Sequence, residues 1–258
     1  MKVVSWNVNS VKARKPLLSK LIEEISPEVI CLQETKSDNS SFPTEFFQKR
    51  NYKCSVNGIR SYNGVAVISK QKPQNCFSHD YCGKNDARHI EVQIEDYKIH
   101  SVYVPAGGDE PDSSKNKKFQ HKLDFLDKLS DFVAERKSEK MIVCGDLNVA
   151  PYEEDVWSHK QLRNVVSHTD IERNKLLKIM KNGNMQDAIR KFINPPHNIF
   201  TWWSYRSPNF KVNNRGRRLD HIWCSELSSK DIKKAKILDK FRSDERPSDH
   251  VPILIHIK

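Results

Sequence analysis

The sequence predicts a layered α/β domain, with sheets covered by helices, and three features predict it. Short apolar, β-branched runs recur along all 258 residues, several of them apolar on both faces, as strands covered on both sides must be. Helical periodicity falls between these runs, and neighbouring runs at 89–94 and 98–104 read as paired strands.

Taken in chain order, the expected strands are 2–8, 28–33, 64–69, 89–94, 98–104, 140–147, 219–224 and 251–257. Leu17, Leu18, Leu21, Ile22 and Ile25 mark a first helix, which Ser26-Pro27 stops because the residue before proline is pushed out of the helical region. Phe119, Leu123, Leu126, Leu129, Phe132 and Val133 mark a longer one. The segments 106–118 and 204–217 are rich in Gly, Pro, Asn, Ser and cations and read as surface loops, where binding residues collect. There is no internal repeat or low-complexity tract, and an α/β domain of this length needs no division, so 1–258 reads as one domain.

Lysine and arginine total 44 against 33 acidic residues, a balance of +11 that favours polyanionic partners through counterion release. A merely basic soluble protein would show the same balance, so charge alone nominates nucleic acid without selecting it. No stretch approaches the roughly 18 apolar residues of a membrane span, and the opening MKVVSWNVNS lacks a secretory pattern. None of the six cysteines forms a C-x-x-C pair, and Cys31, Cys144 and Cys224 sit inside apolar runs. An intracellular, reducing location (cytoplasm, nucleoid or nucleus) without secretion or membrane contact is expected.

Five strand ends carry polar groups suited to chemistry. They are Asn7 and Asn9, Glu34, Asp146 and Asn148 in G-D-L-N, Asp220, and Asp249-His250 in S-D-H. Buried strands are stiff, so side chains at their ends are held to the tolerance catalysis demands. Glu34 offers the carboxylate oxygen a hard divalent cation prefers. Asp146 and Asn148 lie two residues apart on one face of an extended segment, a carboxylate beside a carboxamide, suited to positioning water and stabilising charge on phosphorus. Each alone is ambiguous, since a lone D-x-N is commonly a turn and a lone histidine is commonly structural. A carboxylate can fix the tautomer of an imidazole, and Asp220 is the expected partner of His250, leaving Asp249 for metal or phosphate chemistry. His221 should point to the opposite face.

With W-N-V-N near the N-terminus, L-Q-E-T-K at 32–36, Y-V-P at 103–105, G-D-L-N at 145–148, N-R-G-R-R-L-D at 214–220 and P-S-D-H-V-P at 247–252, the chain resembles the exonuclease III family of abasic-site (AP) endonucleases. The motifs come in the family's order and span nearly the whole chain. The resemblance implies a four-layer α/β sandwich, two mixed sheets packed face to face and flanked by helices. It implies hydrolysis 5' to abasic sites in double-stranded DNA, with 3'-phosphatase, 3'-phosphodiesterase and 3'-to-5' exonuclease activity, by a monomer dependent on one or two magnesium ions, manganese substituting. It assigns Glu34 as metal ligand with Asn7 and Asp249 nearby, and Asp146 as the residue that orients or deprotonates water. Tyr103, Asn148 and His250 become phosphate contacts, Asp220 the orienter of His250, and Asn9 part of the same polar floor. A superfamily phosphoesterase acting on RNA or inositol phosphates, or a non-catalytic nucleic-acid-binding module, is the alternative.

Trp202, Trp203 and Arg206 form the expected specificity element, because a sugar without its base can be selected by an aromatic pocket. Only one of two neighbouring strand residues can face the groove, so Trp202 is assigned to it and Trp203 is left between groove and core. Arg88, with Arg14, Lys15, Lys70, Arg215 and Arg217, is a candidate DNA-backbone contact. Ala106 stands where the family commonly has Asn or Gln, and Ser10-Val11-Lys12 replaces the family's G-L-R, which places the strength of DNA binding in question.

Overall fold

The computed structural model describes residues 1–207 and 210–258; the loop reading at 208–209 lies outside the described residues. Its strands, in chain order, are β1 (Lys2–Asn7), β2 (Val29–Gln33), β3 (Lys53–Ile59), β4 (Tyr62–Ser69), β5 (Asn75–Phe77), β6 (His89–Ile94), β7 (Tyr97–Tyr103), β8 (Met141–Asp146), β9 (Met185–Asp187), β10 (Asp220–Ser225), β11 (Ile232–Ile237) and β12 (Ile253–Ile257). They make two six-stranded sheets, ordered β11-β12-β1-β2-β4-β3 and β5-β6-β7-β8-β10-β9. Both are mixed, since β1 pairs with β2 in parallel and with β12 antiparallel, and β8 pairs with β7 in parallel and with β10 antiparallel.

The period of two along each strand decides which layer a residue enters. Val3, Val29, Cys31, Ile99, Ile142, Cys144, Ile222, Ile253 and Ile255 fill the core between the sheets. The intervening Val4, Trp6, Ile30 and Leu32 face outward onto the helix Lys15–Ile25. On the other side Val102, Val143 and Trp223 face the helices Lys117–Glu135 and Asp170–Asn182. Helix, sheet, sheet, helix is the expected four-layer sandwich.

The first helix ends as anticipated, with Ser26 in the left-handed region (φ 48°) before Pro27. The Asp170–Asn182 helix starts in a capping box between Thr169 and Glu172. Gly145 is required by close approach, because a Cβ there would lie 1.8 Å from the Val102 carbonyl oxygen of β7. That contact locks the end of β8, and with it Asp146, against β7.

Candidate active site

Continuing the same alternation past the apolar core brings polar residues into the inter-sheet layer. Ser5, Gln33 and Ser101 come first, with Gln33 Nε2 donating to Ser101 Oγ at 2.9 Å and Ser101 Oγ to the Leu32 carbonyl at 3.1 Å. This bonded patch separates the dry core from the next residues out: Asn7 on β1, Glu34 just past β2, Tyr103 on β7, Asp146 on β8 and Asp220 on β10. Asp220 sits directly opposite Asp146, and Tyr103 flanks it on the other side. The structure thus gathers strand ends from both sheets at one mouth.

Asn7 Nδ2 donates to Asp146 Oδ2 (2.8 Å) and to Glu34 Oε1 (3.0 Å), bridging the sheets. His250 Nδ1 lies 2.8 Å from Asp220 Oδ2, and its Nε2 lies 3.6 Å from Asp146 Oδ2. Trp6 Nε1 donates to the His250 carbonyl, Ser248 Oγ to the Asn7 carbonyl, and the His250 amide to Ser248 Oγ, so the loop before β12 is tied to the end of β1. Asn9, Glu34 and Asn148 have φ of 44°, 49° and 53°, a concentration of left-handed backbone at the mouth.

The electrostatics follow from burial and unequal charge. Burial is the largest influence on Asp146 and, with the charges of Asp220 and Glu34, pushes it up to about 7 against the opposing pull of His250 and the Asn7 amide. Burial would lower His250, but the carboxylates of Asp220, Asp146 and Asp249 outweigh it and raise it to about 10. Its imidazole is therefore charged at neutral pH and presents two N–H donors. Glu34 is held below the ordinary carboxylate range despite its burial, because the Asn7 amide and the Lys36 ammonium favour its ionised form.

Several expected residues are engaged differently from their assigned roles. Both N–H groups of the Asn148 amide are spent, on the Val104 carbonyl (2.9 Å) and on Asp146 Oδ2 (3.3 Å), so in this state Asn148 holds Asp146. Tyr103 OH donates to Glu34 Oε1 at 2.9 Å, and burial raises its pKa well above 10. Asp249 is not left free: Oδ1 accepts from Asn9 Nδ2 (3.1 Å) and Oδ2 from Trp202 Nε1 (2.9 Å). It links the aromatic wall to the polar floor. Trp202 is half-buried and bridges to His250 on one side and Arg217 on the other, with the Arg217 guanidinium 5.5 Å from its ring centroid. Trp203 takes the opposite side, buried with Phe200 and Val251 and edge-on to Phe210. It is packing surface, because bridge pairing turns its neighbour toward the groove. Arg88 stacks on the Tyr103 ring at 4.8 Å and pairs with Asp86, while Arg206 is exposed beyond the tryptophans. His221 faces outward as expected, its Nε2 2.9 Å from the Val149 carbonyl.

Three contributors had no role assigned from the sequence. Lys36 bridges Glu34 Oε2 (3.0 Å) and Asn9 Oδ1. Thr201 Oγ1 accepts from the amides of Leu219 and Asp220, and Ser248 makes the tie described above. Membership of L-Q-E-T-K and P-S-D-H was the available signal for Lys36 and Ser248.

The side-chain atoms of Asp146, Asp220 and His250 lie within 4.8 Å of one another, a spacing that could hold an ion. A charged imidazole whose Nδ1 is committed to Asp220 has no lone pair to give, so this trio fits proton handling. Glu34 fits a hard cation better: it is ionised, surrounded by oxygen and amide groups, and its side chain keeps 20% exposure toward the groove.

Comparison with known proteins finds relatives across the whole chain. A family model described as the Endonuclease/Exonuclease/phosphatase family matches residues 4–250. The chain is 29% identical to exodeoxyribonuclease III of Haemophilus influenzae across the whole of both chains, and 30% identical to an exodeoxyribonuclease of Bacillus subtilis across 98% of each. It superposes on an AP endonuclease from Archaeoglobus fulgidus with TM-score 0.93 (29% identity, 100% and 99% of the two chains). It superposes on a 3' phosphatase from Neisseria bound to a product DNA hairpin with TM-score 0.94 (28% identity, 100% and 99%). The chain belongs to the endonuclease/exonuclease/phosphatase family, on the branch of the exodeoxyribonuclease III enzymes.

Proposed function

We propose that the protein is a metal-dependent DNA-repair phosphodiesterase that hydrolyses the bond 5' to abasic sites and removes blocking groups from 3' ends of double-stranded DNA. The observation that carries this reading is Asp146 raised toward neutrality beside a charged, Asp220-bound His250, with Asn7 and Asn148 fixing the Asp146 carboxylate. A carboxylate whose pKa lies near the working pH is suited to take a proton from water and return it. Water would attack phosphorus as its proton passes to Asp146 and the bond from phosphorus to the 3' oxygen breaks. That oxygen leaves as a 3'-hydroxyl on taking a proton back from the site, while the Nε2–H of His250, the donor not committed to Asp220, balances charge gathering on the phosphoryl oxygens. Asp220 keeps the imidazole oriented and charged. Glu34, with Asn7 beside it, would hold magnesium, or manganese in its place, and the bound ion would supply Lewis-acid charge at the phosphate. Trp202, fixed by Asp249, would form the wall against which an extruded sugar is read.

The +11 balance supports a polyanionic substrate. The test is cleavage of end-labelled duplexes bearing an abasic site, a 3'-phosphate or a plain recessed end, with magnesium and with chelator. Nicking at the abasic site and phosphate release, both abolished by chelation, are expected; absence of turnover on all three duplexes with magnesium present would refute the proposal.

A further inference from the structure

Lys122 lies on the apolar stripe of the Lys117–Glu135 helix, between Phe119 and Leu126, and is completely buried. A lysine is almost never fully buried without partners. Its ammonium has three, one for each proton: Glu172 Oε1 at 2.5 Å, the Asn148 carbonyl at 2.7 Å and the Ala106 carbonyl at 3.2 Å. Glu172, also fully buried, accepts from the amides of Ser167 and Thr169 and from Thr169 Oγ1. On the far side of this acid, Arg217 donates to Ser167 Oγ (2.7 Å) and the Val166 carbonyl (3.0 Å).

The two carbonyls that Lys122 holds belong to the two loops that leave β7 and β8. The first follows Tyr103; the second carries Asn148, whose left-handed backbone aims its amide at Asp146. One buried ammonium thus fixes the relative position of two loops that approach the reacting phosphate from different strands, and anchors both to an outer helix. A hydrophobic residue of similar length would fill the same space but could not bind either carbonyl.

We infer that Lys122, braced by Glu172, is a positioning residue for catalysis: it sets the turn at Asn148, and through it the Asp146 carboxylate, without touching substrate. This inference rests on the proposed hydrolytic function. Breaking a buried pair by removing one partner strands the other charge, so Lys122→Met alone should lose stability. In Lys122→Met/Glu172→Gln the paired charges leave together, with only Arg217 losing the attraction of Glu172, and the new carboxamide oxygen at position 172 still offers an acceptor to Ser167 and Thr169, so much of the melting temperature should return.

The double variant separates scaffold from positioning. Measured per folded molecule on the 3'-phosphate duplex, its kcat should stay about tenfold or more below wild type with KM little changed, because misplacing a reacting group is costly even when binding persists. Its Asn148 and Ala150 amides should also exchange faster with solvent while those of β7 stay protected. Recovery of kcat together with the melting temperature, or unchanged exchange at Asn148 and Ala150, would overturn the inference. If the double variant does not fold, Lys122→Arg keeps the charge in a different donor geometry; lowered kcat at unchanged KM is then expected, and wild-type kcat refutes the role. A wild type inactive on every duplex would mean that the functional proposal is at fault, and the exchange measurement would then decide the structural claim alone.

Discussion

Two buried ionic clusters lie a few residues apart along β10 and its approach, and their difference separates chemistry from scaffold. Asp155, Asp187, Arg190 and Arg218 form one: Arg190 binds Asp155 at 2.5 Å, Arg218 pairs with Asp187, and Arg218 NH1 lies 3.6 Å from Asp155. Two acids face two bases, and the charges cancel. Asp146, Asp220 and His250 form the other, where two acids share one base and the mouth opens to the groove. Burial raises Asp146 toward neutrality and the charges of Asp220 and Glu34 add to it, while the carboxylates around His250 hold its imidazole charged. Burial and ion pairing are common to both, and burial raises Asp155 of the balanced cluster as well; the charge imbalance is what sets apart the cluster proposed to exchange protons.

The contrast breaks most sharply under paired substitutions. Glu34→Ala at the mouth should cost about a hundredfold or more in rate, with a melting curve close to wild type. Arg218→Met in the balanced cluster should instead strand Asp187 and cost about 3–5 kcal/mol of stability, with turnover per folded molecule largely retained. A well-folded, fully active Arg218→Met, or a Glu34→Ala that unfolds, would erase the distinction.

The tryptophan pair repeats the comparison at smaller scale. Trp203→Ala should lower stability by about 3–5 kcal/mol, the usual cost of emptying a buried aromatic site, and reduce all activities together. Trp202→Ala should reduce cleavage at abasic sites by about 1–3 kcal/mol, roughly a five- to hundredfold effect, and spare 3'-phosphate removal, since a frayed end needs little extrusion. Equal losses on both substrates at an unchanged melting temperature would remove Trp202 from the pocket.

A third site shows what burial does to histidine without a carboxylate surplus. The His79 amide donates to His89 Nδ1, so His89 Nε2 is the donor toward His100 Nδ1, 3.1 Å away, and both rings are neutral. Burial lowers His100 to about 3, His221 to about 3 and His89 well below 6.5. The unfolded chain binds protons at these rings below the ordinary 6.5 while the folded chain refuses them, so stability rises with pH across that range. Denaturation midpoints should therefore fall as pH drops below 6.5, the raised carboxyl of Asp146, which binds its proton in the folded chain, opposing the three rings only in part. Glutamine at positions 89 and 100 should flatten that fall; an unchanged slope would mean the rings are not neutral inside.

The mildest test concerns the surface. The logarithm of the DNA-binding constant should fall with that of salt concentration by roughly 0.9 per phosphate neutralised, similarly for abasic and intact duplexes. A flat anisotropy titration would show that the +11 balance is not a DNA footprint.

The readable parts of the molecule were those where a regular period carries chemistry. Every strand that is apolar on one or both faces stood out, and so did the polar residue that continues its inward side, which is why Asn7, Asp146 and Asp220 could be named. β3, β5, β9 and β11 gave no such run: β5 is exposed throughout, and β11 is an edge strand with lysines at 233, 234 and 236. The Asp170–Asn182 helix buries only Glu172, Leu176 and Ile179, too thin a stripe to notice. Trp202 could be assigned to the groove from the sequence, but placing Trp203 in the core needed the bridges that its neighbour makes to His250 and Arg217, and the engagement of Asp249 needed three dimensions. Lys122 was hidden because a cation within an apolar stripe reads as a snorkelling surface residue until its acceptors are seen.

The central claim is that the surplus-charge cluster performs the hydrolysis, and Asp146→Asn tests it most directly. The substitution keeps the shape of the side chain while removing its charge and basicity. Single-turnover cleavage of an abasic duplex with magnesium, compared at equal folded fraction, should show a loss of about a hundredfold or more with DNA affinity preserved. Cleavage within a few-fold of wild type would contradict the assignment of Asp146 as the residue that activates water.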